Sequence, residues 1–279
     1  MKKLLNKIIP IAYGKYYNFM VLFLPKQTAK KAFYLFCTTR KGRVGAHQKA
    51  YLENAKKEQL TIANHSIQTY HWDGTKETVV LVHGWESNTF RWRNLIEKLK
   101  EANYNIIAFD APGHGYSSGK HLYVPLYAEV LQTMIEKHNP KHIIGHSLGG
   151  MTVLYNSYKN NNKEVDKIVT IGSPSEFYIL MNTYQNILKF NARVLKALEN
   201  YIKERFGFYV KEFSTAAFVQ TNTKKGLLFH DRLDKIAPYE GSENVHKNWK
   251  NSTFITTKGL GHSMHQEHVN NQILRFLKE

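Results

Sequence analysis

The chain has 279 residues, 42% of them hydrophobic, a formal net charge of +17 and a single cysteine, Cys37. That length and apolar content suit a soluble globular protein with a full core, either one large α/β domain or two small ones. One cysteine excludes an intramolecular disulfide and any C-x-x-C pair, and it fits a reducing, cytoplasmic compartment.

The charge is unevenly spread. Residues 1–57 hold 13 Lys and Arg against one acid, Glu53, whereas the rest of the chain holds 26 basic and 21 acidic residues. This first stretch reads as a basic helical extension. Its apolar runs include Ile8 to Tyr13 and Tyr16 to Leu24, and the longest span between charges, Tyr16 to Pro25, is ten residues. A bilayer-spanning helix needs about 20. A secretory signal is not expected, because lysines interrupt the apolar core and no small-x-small site follows it. The expectation is helices packed on the rest of the protein with a basic outer face, lying against an anionic membrane, or both. Nucleic acid would attract the same charges, but no nucleic-acid-binding module is recognisable.

Residues 58–279 read as one domain. From Gln59 to Trp72 polar and apolar residues alternate around Asn64-His65, which predicts an antiparallel hairpin. Strands and helices then alternate. Strand Thr78–Val82 leads to a helix over Thr89–Lys100, and strand Asn105–Phe109 to a helix from about Pro125 to Lys137. Strand Lys141–Ile144 runs into Gly145-His146-Ser147-Leu148-Gly149 and a further helix, followed by strand Lys167–Ile171. Strands Gly226–Phe229 and Ser252–Thr257 and a last helix to Lys278 complete the order. Continuous apolar strands alternating with helices predict an α/β fold, a mostly parallel central sheet covered on both faces. Such sheets carry their sites at the carboxyl ends of the strands. Between Pro174 and Lys224 the rhythm breaks. This ring-rich interval, with Leu188, Val194, Leu195, Leu198 and Ile202 at helical spacing, predicts a small helical cap.

The G-x-S-x-G string is the most informative feature. A serine between a strand and a helix is held on a tight turn that only small neighbours permit, and the turn exposes its hydroxyl. With its context this segment resembles the nucleophile elbow of the α/β-hydrolase fold superfamily, and the resemblance extends from about Gln59 to the end of the chain. His83-Gly84-Trp85 is similar to the family's oxyanion loop, which implies that the backbone N–H groups of Trp85 and Leu148 form the oxyanion hole. Asp110-Ala111-Pro112-Gly113-His114-Gly115 resembles the family's structural loop, with no catalytic role implied.

The family's chain order of serine, acid, histidine implies Ser147 as nucleophile, Asp234 as the acid four residues before Pro238, and His262 as the base in Lys258-Gly259-Leu260-Gly261-His262. Asp231 is the alternative acid. A serine hydroxyl needs a neighbouring imidazole, and the imidazole needs a carboxylate to fix its tautomer. The resemblance therefore implies a serine hydrolase that cleaves carboxylic esters through an acyl-enzyme. An apolar acyl or aromatic small-molecule substrate is expected, with no cofactor and no metal, since His262, His265 and His268 lack a zinc-protease spacing. Thioester hydrolysis, acyl transfer by the same triad and a non-catalytic binding role are the alternatives. Oligomeric state is not legible.

Overall fold

The computed structural model describes residues 2–160 and 162–279, with side chains from Ile8 onward. Helices α1 (Lys2–Met20), α2 (Pro25–Phe36) and α3 (Ala46–Glu53) come first. Strands β1 (Lys56–Ile62) and β2 (His65–Trp72) form the expected hairpin, turning through Ala63 and Asn64 at φ of 50° and 61°. A two-residue loop with both φ values positive matches the right-handed twist of its strands. The alternation continues through β3 (Lys76–Val82), α4 (Arg93–Glu101), β4 (Tyr104–Phe109), α5 (Val124–His138), β5 (His142–His146), α6 (Leu148–Lys159) and β6 (Lys167–Ile171). Helices α7 (Phe177–Leu188), α8 (Ala192–Phe206) and the short α9 (Thr215–Phe218) follow. Strand β7 (Lys225–Asp231), α10 (Tyr239–Asn248), β8 (Ser252–Thr257) and α11 (Glu267–Lys278) end the chain.

Two compact units emerge, and the larger comprises Thr39–Ser175 and Thr215–Glu279. Its eight-stranded sheet has the order β1-β2-β4-β3-β5-β6-β7-β8, antiparallel through β1, β2 and β4 and parallel from β4 to β8. Successive side chains on a strand point to opposite faces. Val80, Val82 and Ile143 therefore join Leu131, Met134 and Val153 of α5 and α6 on one face. On the other face Val79, Leu81 and Ile144 meet Leu95, Leu99, Ile273 and Leu277 of α4 and α11. Each such side chain contributes roughly 1.5–3 kcal/mol when fully buried.

The smaller unit joins the described residues up to Thr38 to Glu176–Ser214. Aromatic packing holds it together. Phe33 lies 5.5 Å from the Tyr201 ring and 5.6 Å from Phe206, and Phe36 lies 5.0 Å from Tyr184. The Tyr184 hydroxyl donates to the Ala32 carbonyl at 2.9 Å. Helix α1 can lie close to α7 because Gly14 has no side chain; a Cβ there would sit 1.7 Å from the Leu188 oxygen.

This grouping differs from a division at residue 57 with a cap over 174–224. Residues 39–57 group with the sheet unit. The Arg43 guanidinium donates to the carbonyls of Gly115, Ser117 and Gly119, and Leu52 is buried among the residues of the sheet unit. Thr215–Lys224 likewise belongs to the sheet unit.

Beyond β3 and β4, a buried polar hub ties two loops together. Asp110 is fully buried and accepts from the Thr89 N–H and hydroxyl at 2.9 Å each, the Tyr70 hydroxyl at 2.8 Å and the Tyr116 N–H at 3.0 Å. His83 Nε2 accepts from the Ala111 N–H at 2.9 Å, so its Nδ1–H donates to the Gly84 carbonyl at 2.8 Å. His114 Nε2 accepts from the Glu86 N–H at 3.0 Å, and its Nδ1–H donates to the Pro112 carbonyl at 3.0 Å. Both rings are thus neutral with assigned tautomers, and burial pushes His83 down to about 4 and His114 down to about 3.

Two outcomes follow from this hub. Asp110→Ala strands several buried donors at about 1–3 kcal/mol each, so urea unfolding should show a loss of about 3 kcal/mol or more. The histidines set a pH window. Between pH 6.5 and about 4 the unfolded chain binds protons at His83 that the folded chain refuses, so stability rises with pH and is lost as pH falls through that range. The unfolding free energy from urea titrations should fall across that window by an amount on the order of 3 kcal/mol; constant stability there would contradict a buried, neutral His83.

Candidate active site

Five carboxyl ends of parallel strands meet here: β3, β5, β6, β7 and β8. Ser147 links β5 to α6 and adopts φ 53°, ψ −123°, a conformation that L side chains rarely occupy. Its N–H donates to the Ile171 carbonyl at 2.8 Å. The neighbouring glycines make the turn possible. A Cβ on Gly149 would lie 2.2 Å from the Val82 oxygen, and one on Gly145 would lie 2.7 Å from the Gly149 oxygen.

His262 reaches this serine from the loop after β8. Its Nε2 lies 2.9 Å from Ser147 Oγ, and its Nδ1 lies 2.7 Å from Asp234 Oδ2. Asp234 has no exposed side-chain surface. Burial alone would push its carboxyl up. Hydrogen bonds from His230, His262 and the N–H groups of Ile236 and Ala237 outweigh burial and hold it well below the usual carboxylate range. An ionised carboxylate only accepts, so Nδ1 of His262 carries the proton and Nε2 is free to accept from the Ser147 hydroxyl.

Asp231 is also buried but sits elsewhere. It accepts from the N–H groups of Leu233, Gly259 and Leu260 and from the Thr257 hydroxyl, between 2.8 and 3.2 Å. These bonds shape the loop that carries His262. Of the two candidate acids, Asp234 is the one bonded to the imidazole.

The loop after β3 borders the serine. A Cβ on Gly84 would come within 2.9 Å of both Ser147 Cβ and His146 Nδ1. Trp85 and Leu148 are both half-buried against the sheet core. Among the described residues neither backbone N–H has a hydrogen-bond acceptor, and Leu148 opens α6, where the first N–H groups have no intrahelical partner.

Two histidines with no role assigned from the sequence complete the site. His146 Nε2–H donates to the His262 carbonyl at 2.9 Å, and the two rings lie 4.9 Å apart. Burial keeps His146 far below its ordinary range. His230, fully buried at the end of β7, lies 3.3 Å from Asp234 Oδ2 and 3.0 Å from the Ala237 carbonyl, and its Nδ1 pairs with Ser242 Oγ at 2.6 Å. Their positions, one inside the elbow and one ending an apolar strand, were the only available signals.

A family model described as the alpha/beta hydrolase fold matches residues 77–197, and one described as TAP-like protein matches residues 211–279. A pimeloyl-[acyl-carrier protein] methyl ester esterase of Vibrio vulnificus is 31% identical over 147 residues, covering 51% of this chain and 54% of that protein. A probable serine hydrolase of Drosophila melanogaster is 32% identical over 110 residues, 36% of this chain and 32% of that one. The chain thus spans about half the length of the first of these relatives and less of the second. An esterase from Exiguobacterium antarcticum superposes with a TM-score of 0.64 at 16% identity, over 80% of this chain and all of that one. A bromoperoxidase from Bacillus anthracis does so at 0.62 and 18%, again over 80% of this chain and 100% of its own. At such identities the likeness is one of fold. Sequence matches and architecture agree, and the chain belongs to the α/β-hydrolase fold superfamily.

Proposed function

We propose that the protein is a serine hydrolase that cleaves carboxylic esters through an acyl-enzyme. The observation that carries this reading is the unbroken chain from Asp234 to His262 to Ser147, bonded at 2.7 and 2.9 Å and ending on a serine with positive φ. The esterase and serine-hydrolase relatives support the same chemistry. An ester of an apolar acyl or aromatic group is the proposed substrate class, and the basic amino-terminal residues are proposed to contact an anionic membrane.

The reaction proceeds in two halves. Ser147 Oγ attacks the ester carbonyl carbon as its proton passes to His262 Nε2. The carbonyl oxygen gains the negative charge and is received by the Trp85 and Leu148 N–H groups. Asp234 holds the imidazolium through Nδ1–H. The C–O bond to the alcohol then breaks, and His262 returns the proton to the departing oxygen. A water next attacks the acyl-serine, giving its proton to His262; the C–O bond to Ser147 breaks, Oγ takes the proton back and the carboxylic acid leaves.

Kinetics with a p-nitrophenyl ester test the assignment. Ser147→Ala should lower kcat by roughly 10⁴-fold or more, His262→Ala by about as much, and the double variant by little more, because the groups act as a unit. Asp234→Asn, which leaves the imidazole in the wrong tautomer, should cost about 10³–10⁴-fold. Asp231→Asn should cost at most about tenfold in kcat and appear chiefly as lost stability. Substantial turnover by Ser147→Ala, or the reverse ranking of the two acids, would overturn the assignment.

A further inference from the structure

Helix α1 is apolar on both of its faces, although only one is packed. With 3.6 residues per turn, Pro10, Gly14, Tyr17 and, just past the helix, Val21 share one face, and all four are buried or half-buried. Asn18 secures that face, donating to the Lys189 carbonyl and accepting from the Asn191 N–H at 2.7 Å. The opposite face carries Ile8, Ala12, Tyr16 and Phe19, and the turn after α1 adds Leu22, Phe23 and Leu24. These side chains stand in solvent: Phe19 is 66% and Phe23 69% exposed, and Ile8 and Leu22 about half. The Phe19 and Phe23 rings touch, with centroids 5.5 Å apart, so the patch is continuous there. Scattered surface apolar residues need no explanation, but a contiguous group of this kind marks an interaction surface.

Charge selects the occupant. Residues 1–38 contain seven lysines and no acidic residue. Lys15, Lys26, Lys30 and Lys31 are exposed. A second copy of the chain would bring like charges together around the same patch, which electrostatics disfavours. An anionic bilayer offers negative headgroups to the lysines and an apolar interior to the rings. Among the described residues no helix is long and apolar enough to cross a membrane, so the helix would lie in the interface plane.

We propose that the outward face of α1 and the turn after it dock on an anionic lipid bilayer. Phe19, Leu22, Phe23 and Leu24 enter the headgroup boundary, Tyr16 places its hydroxyl at the wet level, and the flanking lysines meet lipid phosphates. The attachment is reversible, because it rests on a few side chains and on charges that salt screens. It stands on the surface alone and is independent of the proposed ester chemistry.

Co-sedimentation of the full chain with vesicles tests this, using phosphatidylcholine alone and phosphatidylcholine mixed with phosphatidylserine. Binding to the mixed vesicles should exceed binding to the neutral ones by about tenfold or more, and should fall by at least about tenfold at high salt. The double variant Phe19→Ser/Phe23→Ser should lose about tenfold or more, with its circular dichroism unchanged. The double variant Lys26→Glu/Lys30→Glu, which leaves every apolar residue in place, should also lose most of the anionic preference. Equal recovery with both vesicle types, or recovery with neither, would overturn the proposal. So would self-association in sedimentation velocity that disappears in Phe19→Ser/Phe23→Ser while vesicles recover nothing, because the patch would then serve a second copy.

Discussion

The backbone at Ser147 is the constraint on which the remaining site geometry hangs. At φ 53° and ψ −123° the serine occupies a conformation that costs on the order of 1–3 kcal/mol. Contacts over-determine it. The Ser147 N–H is tied to β6 through the Ile171 carbonyl, and Gly149 is pressed against the Val82 carbonyl at the end of β3 and the His83 carbonyl just past it. Helix α6, which begins immediately after, is buried from Gly149 to Leu154. That burial offsets the strain and leaves the hydroxyl as the group that projects. Because β3, β5 and β6 are adjacent in the sheet, the strained turn, the loop with Trp85 and the end of β6 share one register.

Charge in this region is arranged by exclusion. His83, His114 and His146 are all buried and held neutral, and the first two have both ring nitrogens committed to backbone groups. They act as rigid struts. Asp234 is the contrasting case, ionised despite burial because four donors surround it. His262 bridges the buried carboxylate and the serine, and its side chain keeps 19% of its surface exposed. In the proposed reaction a proton leaving Ser147 would have this imidazole to go to, with the Asp234 carboxylate on its far side. Asp231 supports this indirectly by gathering the amides of Gly259 and Leu260 beneath the His262 loop.

Much of this was legible in the sequence because it is local. The alternation of apolar strands with helices expresses a two-sided sheet, and the hairpin expected around Asn64-His65 forms with its turn one residue earlier, at Ala63-Asn64. Ser147, Asp234 and His262 were singled out through the resemblance of their segments to family motifs that lie just past strand ends, with Asp231 left as the alternative acid; the structure brings Ser147, His262 and Asp234 within hydrogen-bond distance. The pairing of α1 and α2 with α7 and α8 was not legible. It depends on Phe33 meeting Tyr201 and Phe206, contacts separated by more than 150 residues that leave no periodic trace. His146 and His230 were missed for a similar reason. A histidine next to a nucleophile or ending a strand reads like any other until its partner, the His262 carbonyl or the Asp234 carboxylate, is placed beside it.

This geometry is proposed to make Ser147 a nucleophile. Covalent labelling tests it most directly. A fluorophosphonate reacts only with an activated serine hydroxyl, and peptide mass spectrometry locates the adduct without requiring that the natural substrate be known. One adduct is expected, on Ser147, formed rapidly in the parent chain and slowed by orders of magnitude when His262 is replaced by Ala. An unlabelled Ser147 in the folded protein, or labelling that is indifferent to His262, would contradict it.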